Sequence, residues 1–183
     1  MAKTTYKTDS YPYRVYTALL TQNGGDSLNE TDNIPLTIGV TYMIKQNSIL
    51  RGDFTNVGAP NNNDGTYFVA TGTTPNVWGQ DSVFYNTGAP VVTVLENTIG
   101  NIWFTYADIG SYIVNSDGLF TLNKSIGICM PNQYVESPSD LYNYQIINSG
   151  VDNFTLVSFY NYEISNTIFG IYAENAIEIK VYN

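Results

Sequence analysis

The sequence predicts an all-β chain: an antiparallel, jelly-roll-like β-sandwich of about ten strands with a small β module inserted near its start. Three observations carry that prediction. β-branched and aromatic residues dominate, with 16 Tyr and 8 Phe, while the Ala and Glu that favour helices are sparse. Gly and Asn recur every several residues, which is the punctuation of short strands and tight turns. The closing segment "AIEIKVYN" alternates strictly, Ile177, Ile179 and Val181 on one face and Glu178, Lys180 and Tyr182 on the other, as a half-buried strand must.

Residues 1–12 read as an N-terminal arm. "TTYKTDSYPYRVY" sets Tyr6, Tyr11, Tyr13 and Tyr16 just before and into the first strand, and Pro12 stiffens the approach. These four tyrosines are the interface candidates, on an arm that docks on a neighbouring subunit. The alternative is an ordinary terminus with one or two aromatics folded back. "YRVYTALLTQ" is the opening strand, with Leu19 and Leu20 on opposite faces.

The sandwich then comprises residues 13–26 and 86–183, interrupted by an inserted module at 27–85. "GVTYMIKQ" and "TYFVATG" flank "SILRGDFTNVGAPNNNDG", too long a connection to be a simple loop. Phe54, Phe68 and Trp78 are its expected miniature core. Asp64-Gly65 reads as a type I′ turn feeding the strand "TYFVATG".

Beyond the insert, "PVVTVLENTIGNIWFTYADIGSYIV" holds three apolar runs broken at "ENTIGN" and "ADIGS", and reads as a three-stranded meander. "SIGICM" alternates Ile126, Ile128 and Met130 against Ser125, Gly127 and Cys129, and the small residues mark a central strand that a second backbone approaches closely. Its lone cysteine, Cys129, has no partner for an internal disulfide and reads as a buried, inert thiol. "FTLVSFYNYEI" carries Phe154, Leu156, Tyr160 and Tyr162 at alternate positions of a long strand.

The formal charge is −9, from 7 Lys and Arg against 16 Asp and Glu, with no basic run, which argues against a nucleic-acid partner and against anionic membrane surfaces. No apolar stretch approaches the roughly 20 residues of a spanning helix, and no apolar segment follows the early lysines as a signal peptide requires, so synthesis in a cytoplasm is expected.

The chain contains no histidine, which removes Ser-His-Asp and Cys-His nucleophile systems and the commonest metal ligand. Carboxylate chemistry is what remains. A glycosidase pair needs two carboxyl groups about 5 to 9.5 Å apart, and nothing in the spacing of Glu96, Glu163 and Asp53 sets two of them opposite each other. "NNNDG" lacks the alternating acidic pattern of an EF-hand loop and reads as a turn. Gly52, Gly58, Gly65 and Gly72 are followed by neither the lysine nor the helix of a phosphate loop. The expectation is therefore a non-enzyme with no catalytic residue, no cofactor and no metal. Three Asn-X-Ser/Thr sequons, at Asn29, Asn123 and Asn153, are chance in so Asn-rich a chain.

"YRVYTALLTQNG" (13–24), "APVVTVLENTIGNIWFTYADIGSYIV" (89–114), "GLFTLNKSIGI" (118–128) and "AIEIKVY" (176–182) together resemble a module common in bacteriophage virion proteins: tail-fibre, appendage and head-associated proteins. The insert, "TIGVTYMIKQN", "GDFTNVGA" and "DGTYFVATGTTPNVW", resembles a second small β module frequent in phage structural proteins. The resemblance covers most of the chain from residue 13 onward and is weakest over the arm and residues 131–153. It implies a virion structural protein made in the host bacterial cytoplasm, a capsid auxiliary, decoration or head-fibre component that forms a dimer or trimer and docks on other virion proteins. The alternative is a tail-associated adhesin contacting host surface polysaccharide, with Trp78, Trp103 or tyrosines as stacking platforms. Both tryptophans lie in strand-like segments, where burial is the default.

Overall fold

The structure, a computed structural model, describes residues 12–22, 27–47, 49–108, 111–130, 142–148, 150, 152–160, 163–164 and 175–183. Those residues contain thirteen strands and one short 3-10 turn at Thr55–Val57, so the chain is all-β. The strands are β1 Tyr13–Gln22, β2 Leu28–Thr31, β3 Thr41–Lys45, β4 Tyr67–Val69, β5 Ser82–Asn86, β6 Pro90–Asn97, β7 Ile102–Asp108, β8 Ser111–Ser116, β9 Ser125–Met130, β10 Tyr142–Asn148, β11 Asn153–Tyr160, β12 Glu163–Ile164 and β13 Asn175–Tyr182.

Two antiparallel sheets form the sandwich, one in the order β6-β1-β13-β9 and the other in the order β10-β11-β8-β7 with β12 added beside β11. The pairing is largely nested: the first sandwich strand pairs with the last along Tyr13↔Tyr182 to Leu20↔Asn175, and β8 pairs with β11. Alternation explains which faces meet. Tyr16, Ala18 and Leu20 of β1 and Ile177, Ile179 and Val181 of β13 point inward, onto Phe104, Tyr112, Val114, Phe154 and Leu156 of the facing sheet. Each such side chain taken fully out of water stabilises by about 1.5–3 kcal/mol. Phe120, on the β8–β9 connection, packs edge-on against Phe154 at 4.7 Å. The Arg14 guanidinium donates to the Ile99 and Leu119 carbonyls, both at 3.2 Å, tying the two connections that run near it.

Two sequence expectations fail in this layer. The meander of β6, β7 and β8 does not exist as such: β7 and β8 form a hairpin, but β6 pairs with β1 in the other sheet. "ENTIGN" is thus a crossing between sheets. Asn97 stiffens it, its Oδ1 accepting from the Ile99 and Gly100 amides and its Nδ2 donating to the Gly100 carbonyl. The second failure is the central place expected for β9. Ile126, Ile128 and Met130 face outward at 52%, 47% and 54% exposure, whereas Ser125, Gly127 and Cys129 face in. A Cβ at Gly127 would collide with the Ile146 side chain on β10, so this inward position suits glycine. Among the described residues β9 is moreover the outer strand of its sheet and not a central one.

Residues 28–86 build a third sheet, in the order β2-β5-β3-β4, around Leu36, Tyr42, Ile44, Phe54, Val57, Ala59, Phe68, Ala70 and Val83. Phe54 is central here, 6.3 Å from Phe68 and edge-on to Trp78 at 5.4 Å. The long connection is held by two carboxylates. Buried Asp81 accepts from the Gly52 amide at 2.7 Å and the Asn47 amide at 3.2 Å. Asp53 gathers Thr55, Asn62 and Asn76. The Asp64-Gly65 turn is not type I′, because only Gly65 has positive φ, +77°, while type I′ needs it at both central residues. Asp64 Oδ1 instead accepts from the Gln46 amide at 2.8 Å.

The third sheet is stitched to the sandwich. Val69 belongs to the sandwich core, the Phe104 amide donates to Thr41 Oγ1, and the Val92 amide donates to the Gly39 carbonyl at 2.8 Å. At that last joint Gly39 has φ +85°, and a Cβ would sit 2.5 Å from the Val92 carbonyl oxygen, so the contact demands glycine.

Candidate functional site

Two surfaces gather the candidate side chains, and the first is the outer face of the β6-β1-β13-β9 sheet. Strand register generates it row by row. Val15, Lys180 and Ile126 stand side by side, then Thr17, Glu178 and Ile128, then Leu19, Ala176 and Met130. The outer face therefore carries an apolar stripe on β9 beside a charged stripe on β13. Lys180 Nζ lies 2.7 Å from Glu178 Oε1 and 5.2 Å from the ring centre of Tyr13, which packs on Tyr182 at 5.5 Å. The hydrogen bond that Lys180 donates to Glu178, reinforced by the carboxylate's charge, holds the ammonium's pKa above its ordinary value.

Of the four tyrosines proposed as interface residues, Tyr13 belongs to this face, and Tyr6 and Tyr11 lie outside the described residues. Tyr16 is a correction. It is 1% exposed and packs on Phe104 in the sandwich core, because it occupies an inward position of β1, so it offers no surface to a partner. Its hydroxyl is buried with no hydrogen-bond partner among the described residues, and burial pushes the phenol well above its usual range.

Among the described residues, the carboxylates singled out in the sequence, Glu96, Glu163 and Asp53, lie on separate segments. Glu96 on β6 and Glu178 on β13 both stand opposite Thr17, two strand spacings or about 9.6 Å apart at the backbone. Both line a depression of about 360 Å³ with Tyr13 and Lys180. Glu178 is already occupied by Lys180. Asp53 accepts from Thr55 Oγ1 at 2.7 Å, Asn76 Nδ2 at 3.0 Å, the Thr55 amide at 3.1 Å and Asn62 Nδ2 at 3.2 Å, and these donors hold its carboxyl far below the usual range. Such a group is a knot for the loop and a poor proton acceptor. Glu163 pairs through its backbone with Tyr160.

The second surface is a groove of about 180 Å³ where the inserted sheet meets β7. Trp103 and Tyr67 form part of its wall, their rings 5.7 Å apart and within 9° of parallel. Asn61, Asp64, Asn101 and Asp117 complete the polar lining. Comparison with protein-family models, curated proteins and solved structures finds no match for this chain.

The sequence marked Trp103 but not its neighbours, since Tyr67, Asn101 and Asp117 are brought together only by the docking of the insert. Trp78, the other tryptophan, serves the core of the inserted sheet, as its contact with Phe54 requires. Cys129 packs against the sandwich core, and burial pushes its thiol up to about 12. Among the described residues no three acidic or cysteine side chains gather as a metal site.

Proposed function

We propose that this chain is a non-enzymatic structural protein of a bacteriophage virion, a capsid auxiliary or head-fibre component that oligomerises and docks on other virion proteins. The observation that carries the proposal is the outward apolar stripe of β9. Ile126, Ile128 and Met130 each expose about half of their surface on the outer strand of a sheet, where a monomeric protein usually places charge. Covering three half-exposed side chains is worth roughly 3 kcal/mol per protomer. The neighbouring Lys180–Glu178 pair gives the same face a polar rim that fixes orientation. The phage-like modules of the sequence supply the context, and the virion is the place where such a face finds its partners.

The test is sedimentation of the purified protein beside Ile126→Lys/Ile128→Lys. Both positions are exposed, so the substitution leaves the fold intact, and unfolding temperatures serve as the control. A wild-type dimer or trimer that becomes a monomer in the variant supports the reading. Equal assembly of both proteins removes β9 as the contact.

A further inference from the structure

We propose that the groove between the inserted sheet and β7 binds a single saccharide ring, with Tyr67 and Trp103 as its apolar wall. The proposal goes beyond the assembly reading and shares no residue with the β9 face. The two rings are nearly parallel with their centres 5.7 Å apart, and both side chains are half-buried and line the groove. The C–H face of a pyranose is apolar and flat, and its rim of hydroxyls is polar on every side. A binding site for it needs an aromatic wall meeting planar amides and carboxylates.

The polar side supplies those groups already oriented. Asn101 donates its Nδ2 to the Tyr67 carbonyl at 3.1 Å, which fixes the amide and leaves Oδ1 as an acceptor. Asn61 is fixed the other way round: its Oδ1 accepts from Thr66 Oγ1 at 2.6 Å and from the Asn63 amide at 2.9 Å, which leaves Nδ2 as a donor. Asp64 commits one oxygen to the Gln46 amide, and Asp117 is exposed at the groove edge. One donor and several acceptors on fixed side chains match vicinal hydroxyls, which both give and take hydrogen bonds, and fixed groups bind without an ordering cost.

Charge and size narrow the ligand class further. The lining holds two carboxylates and no cation, which repels phosphates and acidic sugars and favours a neutral ring. At about 180 Å³ the groove lies below the roughly 300 Å³ of drug-sized pockets, so one ring enters and the remainder of a chain would run out over the surface.

The experiment uses the full chain with Trp78→Phe, which leaves Trp103 as the sole tryptophan of 2, excited at the red edge of its absorption where the 16 tyrosines do not absorb. Glucose, galactose, mannose, N-acetylglucosamine and their disaccharides are titrated to 50 mM while emission and acrylamide quenching are followed. The expected result is a saturable shift with reduced quenching for at least one sugar, in the millimolar range expected of so small a ligand. Asn101→Ala and Asp117→Ala, each shown to be folded by its unfolding temperature, weaken it at least tenfold. No saturable change with any sugar, or a change that both variants retain, overturns the proposal. If Trp78→Phe does not fold, saturation-transfer NMR on the wild type with the same sugars and the same two variants gives the same decision.

Discussion

Replacing Tyr16 by Phe should make this protein more stable, which is unusual for a change at a fully buried position. The Tyr16 hydroxyl is buried in the sandwich core with no hydrogen-bond partner among the described residues. Leaving such a group unpaired costs about 1–3 kcal/mol. Removing it leaves a void of roughly 10 Å³, worth about 0.2 kcal/mol at ~24 cal/mol per Å³. The net expectation is a gain of about 1–2 kcal/mol, or roughly 3–6 °C in Tm for a chain of this size. Urea and thermal unfolding of the two proteins at pH 7 measure it. The phenol's raised folded value adds a second signature: the unfolded chain ionises first, so wild type loses stability relative to Tyr16→Phe as pH rises past about 10. A variant less stable than wild type by 1 kcal/mol or more would refute the reasoning, because it would mean the hydroxyl has a partner.

Three further outcomes follow from the same geometry. Cys129, with its thiol pushed up to about 12, should react with a disulfide reagent at pH 8 about a thousandfold more slowly in the native protein than after unfolding, and stability should fall as pH climbs above about 9. Asp53 is held charged, so its contribution is present above the ordinary carboxylate range and fades as pH falls below it. Amide exchange at Phe54 and Val77 should therefore quicken in Asp53→Ala at pH 6, with the difference from wild type shrinking toward pH 2. Gly39→Ala should destabilise by about 2 kcal/mol or more, since it adds both an unfavourable φ of +85° and a collision with the Val92 carbonyl; a chevron or equilibrium melt within 0.5 kcal/mol of wild type would contradict the tight joint.

Period-two alternation made much of the architecture readable. β13 is the clearest instance: a single face of Ile177, Ile179 and Val181 could only be a buried face, and it is. The inserted sheet was legible for a different reason, because Phe54, Phe68 and Trp78 lay too far from the sandwich strands in sequence to be spare loop residues, and they do pack together. β9 shows the limit. Alternation separates Ile126, Ile128 and Met130 from Ser125, Gly127 and Cys129 but does not say which set faces the core. The near approach of Ile146 at Gly127 accompanies the smaller set facing inward. β6 shows another limit, for a turn rich in Asn and Gly closes a hairpin or crosses between sheets with the same residues. The groove was the least legible feature, since Tyr67 and Trp103 meet only through the packing of two sheets far apart in the chain.

Gold labelling of purified phage particles with an antibody raised against this protein tests the central proposal most directly. Label fixed at the particle head, at regular positions under the electron microscope, is the predicted result. Unlabelled particles, with the protein recovered only from the soluble fraction of the lysate, would contradict a place in the virion.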